Sequence, residues 1–162
     1  MANKFNFKPI ERKARGAMET ALVLIGNEAK NHFVGNFEKQ GFDDRTVEKW
    51  ERRKKFEAKG RGSKKSAKEY GTIRSVRAGR AILVKRGDLR RSIIRGLINK
   101  FNLSVKVKTD LDYAKIHNDG LMGRAWGKHP FKMPKRKFIG DSYNLNEKVK
   151  KILTAKLDSI FK

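Results

Sequence analysis

From Ala14 onward, apolar side chains recur at three- and four-residue steps: Met18, Ala21, Leu22, Ile25, Ala29, Phe33 and Phe37. That spacing lines one face of an α-helix, whereas a strand changes face at every residue. Pro9 suits the first turn, where its missing N–H leaves no bond unmade. Gly41 supplies a stop after Lys39. Such a long helix constrains everything else, because the rest of the chain must cover its stripe. Gly26 and Gly35 interrupt the pattern, and a kink is expected at either. A second stripe closes the chain, formed by Leu145, Val149, Ile152, Leu153, Leu157, Ile160 and Phe161. Asn144, with Glu147 three residues on, gives that helix a capping-box-like start.

Between the helices the period shortens. Leu103, Val105 and Val107 alternate with Ser104, Lys106 and Lys108, so Leu103–Thr109 reads as a strand with one apolar and one basic face. Ser92–Ile98 is its antiparallel partner across a turn at Asn99–Asn102. Ala81–Val84 is a short apolar segment, and Gly87-Asp88 a turn that leads into the Ser92 strand. Asp112–Asn118 reads as a helical turn ended by Gly120, with Tyr113 and Ile116 on the face that clamps it to the sheet. A glycine-containing loop is expected from Leu121 to Gly127. Met133–Gly140 is expected as an edge strand, where Pro134 is tolerated. The fold class is α+β: a long N-terminal helix and a C-terminal helix packed on a small antiparallel sheet, with a mobile basic loop. The 162 residues suit one domain. It divides into an N-terminal helix (1–40), a basic linker (41–80), a sheet region (81–140) and a C-terminal helix (141–162). Leu, Ile, Val and Phe make up about a quarter of the chain, enough for a packed core.

Charge narrows the partners. The formal net charge is +24, and it is uneven: residues 45–91 hold 18 basic against 5 acidic side chains, while residues 1–44 are nearly balanced. An excess of this size favours DNA, RNA or an acidic protein surface. Arg52, Arg53, Lys54 and Lys55 are the first candidates for polyanion contact. Lys64 and Lys65 follow, inside a stretch from Lys59 to Lys68 that has no large apolar residue and reads as a mobile basic loop.

Several chemistries are excluded. Without cysteine there is no disulfide framework, thiol nucleophile or Cys-ligated metal. His32, His117 and His129 are too scattered for a metal site, and His117-Asn118 lacks the further ligands that an HNH nuclease needs. The glycines of Gly123–Lys128 are too close for a phosphate loop, and His129 stands where a magnesium-binding hydroxyl belongs. Asp110, Asp112 and Asp119 miss the calcium-loop spacing. No catalytic constellation and no cofactor site emerge, so a non-enzyme is expected. The longest compact apolar run, Ala21–Ile25, is far shorter than the ~20 residues of a spanning helix. No membrane association or export is therefore expected.

Three short motifs stand in order between the helices. They are Ile82-Leu83-Val84-Lys85-Arg86-Gly87-Asp88-Leu89-Arg90-Arg91-Ser92-Ile93, Asp112-Tyr113-Ala114-Lys115-Ile116-His117-Asn118-Asp119-Gly120, and Met133-Pro134-Lys135-Arg136-Lys137-Phe138-Ile139-Gly140. Together with Trp50 in its basic linker, they resemble the virion morphogenesis (tail completion) family of tailed bacteriophages, as found in Mu-like phages and prophages. That family's pattern runs roughly Leu-x-x-(Thr/Ser)-Gly-x-Leu-Arg-x-Ser-Ile, then Tyr-Ala-x-Ile-His-x-x-Gly, then Ile-Pro-x-Arg-x-Phe-Leu-Gly. Lys137 replaces its usual proline, Met133 its isoleucine, and the linker at 59–80 is unusually charged.

The resemblance singles out Gly87, Leu89, Arg90, Ser92, Tyr113, Ala114, His117, Gly120, Pro134, Arg136, Phe138 and Gly140, all in scaffold roles. It implies a structural protein at the head-proximal end of the tail, completing the tail or joining it to the head. Its partners would be other tail or neck proteins and further copies of itself in a ring, with non-specific DNA contact in reach. It would be assembled in the host cytoplasm and retained in the virion. The competing reading is a basic nucleic-acid-binding module of a mobile element, carried by residues 45–91 and the Lys106/Lys108 face.

Overall fold

The computed structural model describes residues 7–52, 81–84, 86–125 and 129–160. Helix α1 (Lys8–Lys39) runs unbroken for 32 residues, about 48 Å at the helical rise. Neither Gly26 nor Gly35 interrupts it. Its stop is Gln40 rather than Gly41: Gln40 takes the left-handed conformation at φ 51, and its N–H donates to the Asn36 carbonyl. Strands β1 (Gly41–Asp43) and β2 (Val47–Lys49) form a first antiparallel ribbon. Helix α2 (Asp88–Arg91) precedes the ribbon of β3 (Ile94–Asn99) and β4 (Ser104–Lys108). Helix α3 (Asp112–Asp119), a third ribbon of β5 (Met122–Ala125) and β6 (His129–Lys132), and helix α4 (Tyr143–Asp158) complete the order.

The α+β class holds, with the sheet content split into three two-stranded ribbons. Helix α1 is the spine: α4 packs along it, and the β3–β4 ribbon lies across it. Gly26 makes that crossing possible. A Cβ there would stand 2.4 Å from Arg95 Cδ and 2.8 Å from Val105 Cγ2, closer than atoms can approach. The core gathers Phe33 and Phe37 of α1 with Phe42, Trp50, Ile82, Leu89, Ile93, Ala114, Phe138 and Leu145. Trp50 meets Phe37 edge-on at 5.5 Å, and the Phe138 ring lies 5.3 Å from the Phe37 ring. Both fall within the range at which aromatic pairs add to simple burial.

Several local expectations are corrected. Ser92 is the C-cap of α2, not the start of a strand, and its hydroxyl is spent on the Leu89 carbonyl and the Thr109 hydroxyl. Gly87, at φ 78, turns the chain into α2 rather than directly into β3. Leu103 belongs to the turn, at φ 46, and leaves the apolar strand face to Val105 and Val107. The turn is held by Asn99, whose Oδ1 accepts from Phe101 N and Asn102 N. Part of the expected loop at 121–127 is strand β5. Helix α4 is capped by Ser142, whose hydroxyl accepts from Leu145 N; Asn144 reaches instead to the Asp43 carboxylate. The basic loop at 59–68 lies outside the described residues.

Candidate functional site

The segment Met133–Gly140 decides how the motifs are assembled, and it is not the expected strand. It carries no regular secondary structure, and its backbone is satisfied by side chains together with isolated main-chain bonds such as Met133 N to the Leu121 carbonyl. Asn118 Oδ1 accepts from both Phe138 N (2.9 Å) and Ile139 N (3.0 Å). Asn36, fully buried on α1, donates through Nδ2 to the Phe138 carbonyl and accepts from Asp43 N through Oδ1. Trp50 Nε1 donates to the Lys137 carbonyl at 2.7 Å. Arg136 N donates to the His117 carbonyl at 2.8 Å.

Between this segment, α2 and α3 lies a cleft of about 300 Å³, lined by Ile82, Leu83, Arg86, Gly87, Asp88, Leu89, Tyr113, His117 and Arg136. Five of the singled-out residues, Gly87, Leu89, Tyr113, His117 and Arg136, thus meet at one place although 49 positions separate the first from the last. Arg136 is buried, and its Nε and Nη2 donate to the Glu51 carbonyl at 3.3 and 3.1 Å. His117 stands edge-on to Tyr113 at 6.0 Å, and its Nδ1 is buried without a hydrogen-bond partner. Burial, reinforced by the Arg136 charge, holds the His117 pKa below its ordinary value. Both effects favour the uncharged imidazole.

The other singled-out residues serve the scaffold around this cleft. Ala114 and Phe138 sit in the core beneath it. Gly120 ends α3 at φ 70, a conformation that disfavours a side chain, and a Cβ there would also stand 2.9 Å from Lys135 N. Tyr113 is not the buried clamp expected: it is 42% exposed, and Ala114 takes the buried position. Arg90 points outward to Glu38 at 3.6 Å. Pro134 and Gly140 bracket the extended segment. Arg52 is exposed, while Arg53, Lys54, Lys55, Lys64 and Lys65 lie outside the described residues.

A second junction, unforeseen in the sequence, forms at Asp43. Its carbonyl accepts from His32 Nε2 at 3.0 Å and from the Ser142 hydroxyl at 2.7 Å, and its carboxylate accepts from Lys39 and Asn144. Burial by itself would raise the Asp43 pKa, but these hydrogen bonds and the Lys39 charge outweigh it and hold the carboxyl below its ordinary value. His32 is lowered by its own burial despite the Asp43 carboxylate beside it. The signal for this junction was present as polar residues, His32 and Asn36, on the apolar stripe of α1.

The profile of the phage virion morphogenesis family matches residues 11–158. The chain belongs to that family. The match spans all three motifs, the spine helix and α4, so the cleft and its supports are features of a phage morphogenesis protein. Membership implies contact with other phage proteins and association with the virion. No curated protein and no solved structure matches the chain. Among the described residues, no group of three or more His, Asp or Glu is placed to hold a metal ion, and no helix is long and apolar enough to cross a membrane.

Proposed function

We propose that this chain is a tail-completion or head–tail joining protein, folded as one domain over residues 1–162. It acts without catalysis, by self-association and by contacts with other tail or neck proteins, and resides at the tail or neck of the virion. The family match across residues 11–158 carries the reading. The cleft supports it, because residues from distant motifs are spent on fixing one segment against another, as a structural joint requires. The buried Arg136 among them donates within the chain, to the Glu51 carbonyl.

The test is electron microscopy of lysates from a phage deleted for this chain. Filled heads accumulating beside unjoined or incomplete tails are expected. Complete joined particles would refute the proposal. The net charge of +24 favours a second reading, a nucleic-acid-binding module. Under that reading the deleted phage would instead yield heads that fail to fill.

A further inference from the structure

The distal half of the β3–β4 hairpin presents the most exposed large apolar side chains among the described residues, Leu97 at 96% and Phe101 at 92%. Both are held out by construction. The register skips between Arg95 and Ile98, so Gly96 and Leu97 together oppose Lys106. A bulge of this kind turns one side chain out of the alternation. Arg95 and Ile98 therefore both lie toward α1, and Leu97 is turned away from it. Phe101 rides on the turn that Asn99 locks with two hydrogen bonds, and Lys100 is tied to α1 through Glu19 at 2.8 Å. The tip is thus pre-organised, which lowers the ordering cost of binding.

An aliphatic and an aromatic side chain displayed this way are suited to a groove that removes them from water. Charge selects the owner of that groove. Beside Leu97, β4 brings Lys106, for which no acidic partner is found among the described residues, on a chain of net charge +24. A second copy would oppose basic strands with basic strands, whereas an acidic partner neutralises them. Nucleic acid would take Leu97 only as a wedge between base steps, at the cost of their lost stacking.

We propose that the Leu97/Phe101 tip plugs into an apolar, acid-rimmed groove on a different tail or neck protein. This rests on the reading that the chain works by contact with its phage neighbours. Copies then collect on that acidic partner rather than associating free in solution.

The test uses tails purified from a phage deleted for this chain, titrated with the full-length labelled chain. The wild type is expected to bind them, with affinity falling as salt rises, and to restore joined particles once filled heads are added. Leu97→Ser/Phe101→Ser is expected to weaken binding by roughly thirtyfold or more with an unchanged melting curve, since both side chains are already in water. Lys106→Glu is expected to weaken it severalfold. A double variant that binds and restores particles like the wild type overturns the tip assignment and leaves the tail-joining role standing. A wild-type chain that neither binds nor restores particles removes the tail-joining role itself. The proposal is also overturned if the double substitution acts only on self-association in sedimentation, or only on affinity for oligothymidine.

Discussion

Three glycines on α1 set helix propensity against packing. Replacing an exposed helical glycine with alanine gains about 0.5–1 kcal/mol, because alanine has less backbone freedom to lose. At Gly35 a Cβ meets nothing within 4 Å, so Gly35→Ala should show that gain, and Gly16→Ala should too unless its end of the helix frays. At Gly26 the same methyl arrives 2.4 Å from Arg95 Cδ and 2.8 Å from Val105 Cγ2. Arg95 is long and can swing aside. Val105 is β-branched and fixed in β4, so the ribbon itself must lift, and overpacking of this kind costs about 1–3 kcal/mol. Steric cost therefore outweighs propensity. Gly26→Ala should be less stable than Gly35→Ala by roughly 1–3 kcal/mol, because both share the propensity gain and only Gly26 adds the strain. Urea unfolding followed by circular dichroism reads this directly as a difference in midpoint at constant slope. If Gly26→Ala is stabilised as much as Gly35→Ala, the ribbon does not lie on α1 as described.

Other substitutions test the junctions. Phe138→Ala should cost about 3–5 kcal/mol in the same urea assay, since it empties a fully buried site against Phe37; a loss under about 1 kcal/mol would contradict that packing. Trp50→Phe keeps most of the apolar volume but strands the Lys137 carbonyl, and should cost about 1–3 kcal/mol. Ser142→Ala should cost about 1–2 kcal/mol, because one hydroxyl both caps α4 and donates to the Asp43 carbonyl. His32 and His117 have lowered pKa values in the folded chain, so below about pH 6.5 the unfolded chain binds more protons and stability falls on acidification. The urea midpoint should therefore drop between about pH 7.5 and 5.5, and His117→Gln should flatten part of that drop; a midpoint that rises on acidification would refute the assignment.

Much of this architecture is legible in residue order. The stripe from Ala14 to Phe37 predicts α1, and the alternation around Val105 predicts a hairpin, because both periods follow from backbone geometry. The three motifs identify the segments that meet at the cleft. Periodicity fails where side chains replace backbone partners. Met133–Gly140 has the look of a strand, but side chains of Asn36, Asn118 and Trp50 bond its backbone, and no local pattern reports partners 20, 87 and 102 positions away. Gly26 shows the same limit: as a helix residue it reads as a weakness, and only the crossing ribbon explains it. Leu97 is placed by a one-residue shift in register, which strand alternation cannot reveal. Ser142 displaces Asn144 as the cap because Asp43, about a hundred positions earlier, holds both residues.

A structural component that completes or joins tails should act on finished heads and tails. The most direct test adds the purified protein to a mixture of filled heads and tails taken from a deleted phage, and counts infectious particles. Titre is expected to rise with added protein, and the protein to remain in the particles formed. If titre returns only when the chain is present while DNA is being packaged, or if restored particles contain none of it, the structural role is contradicted.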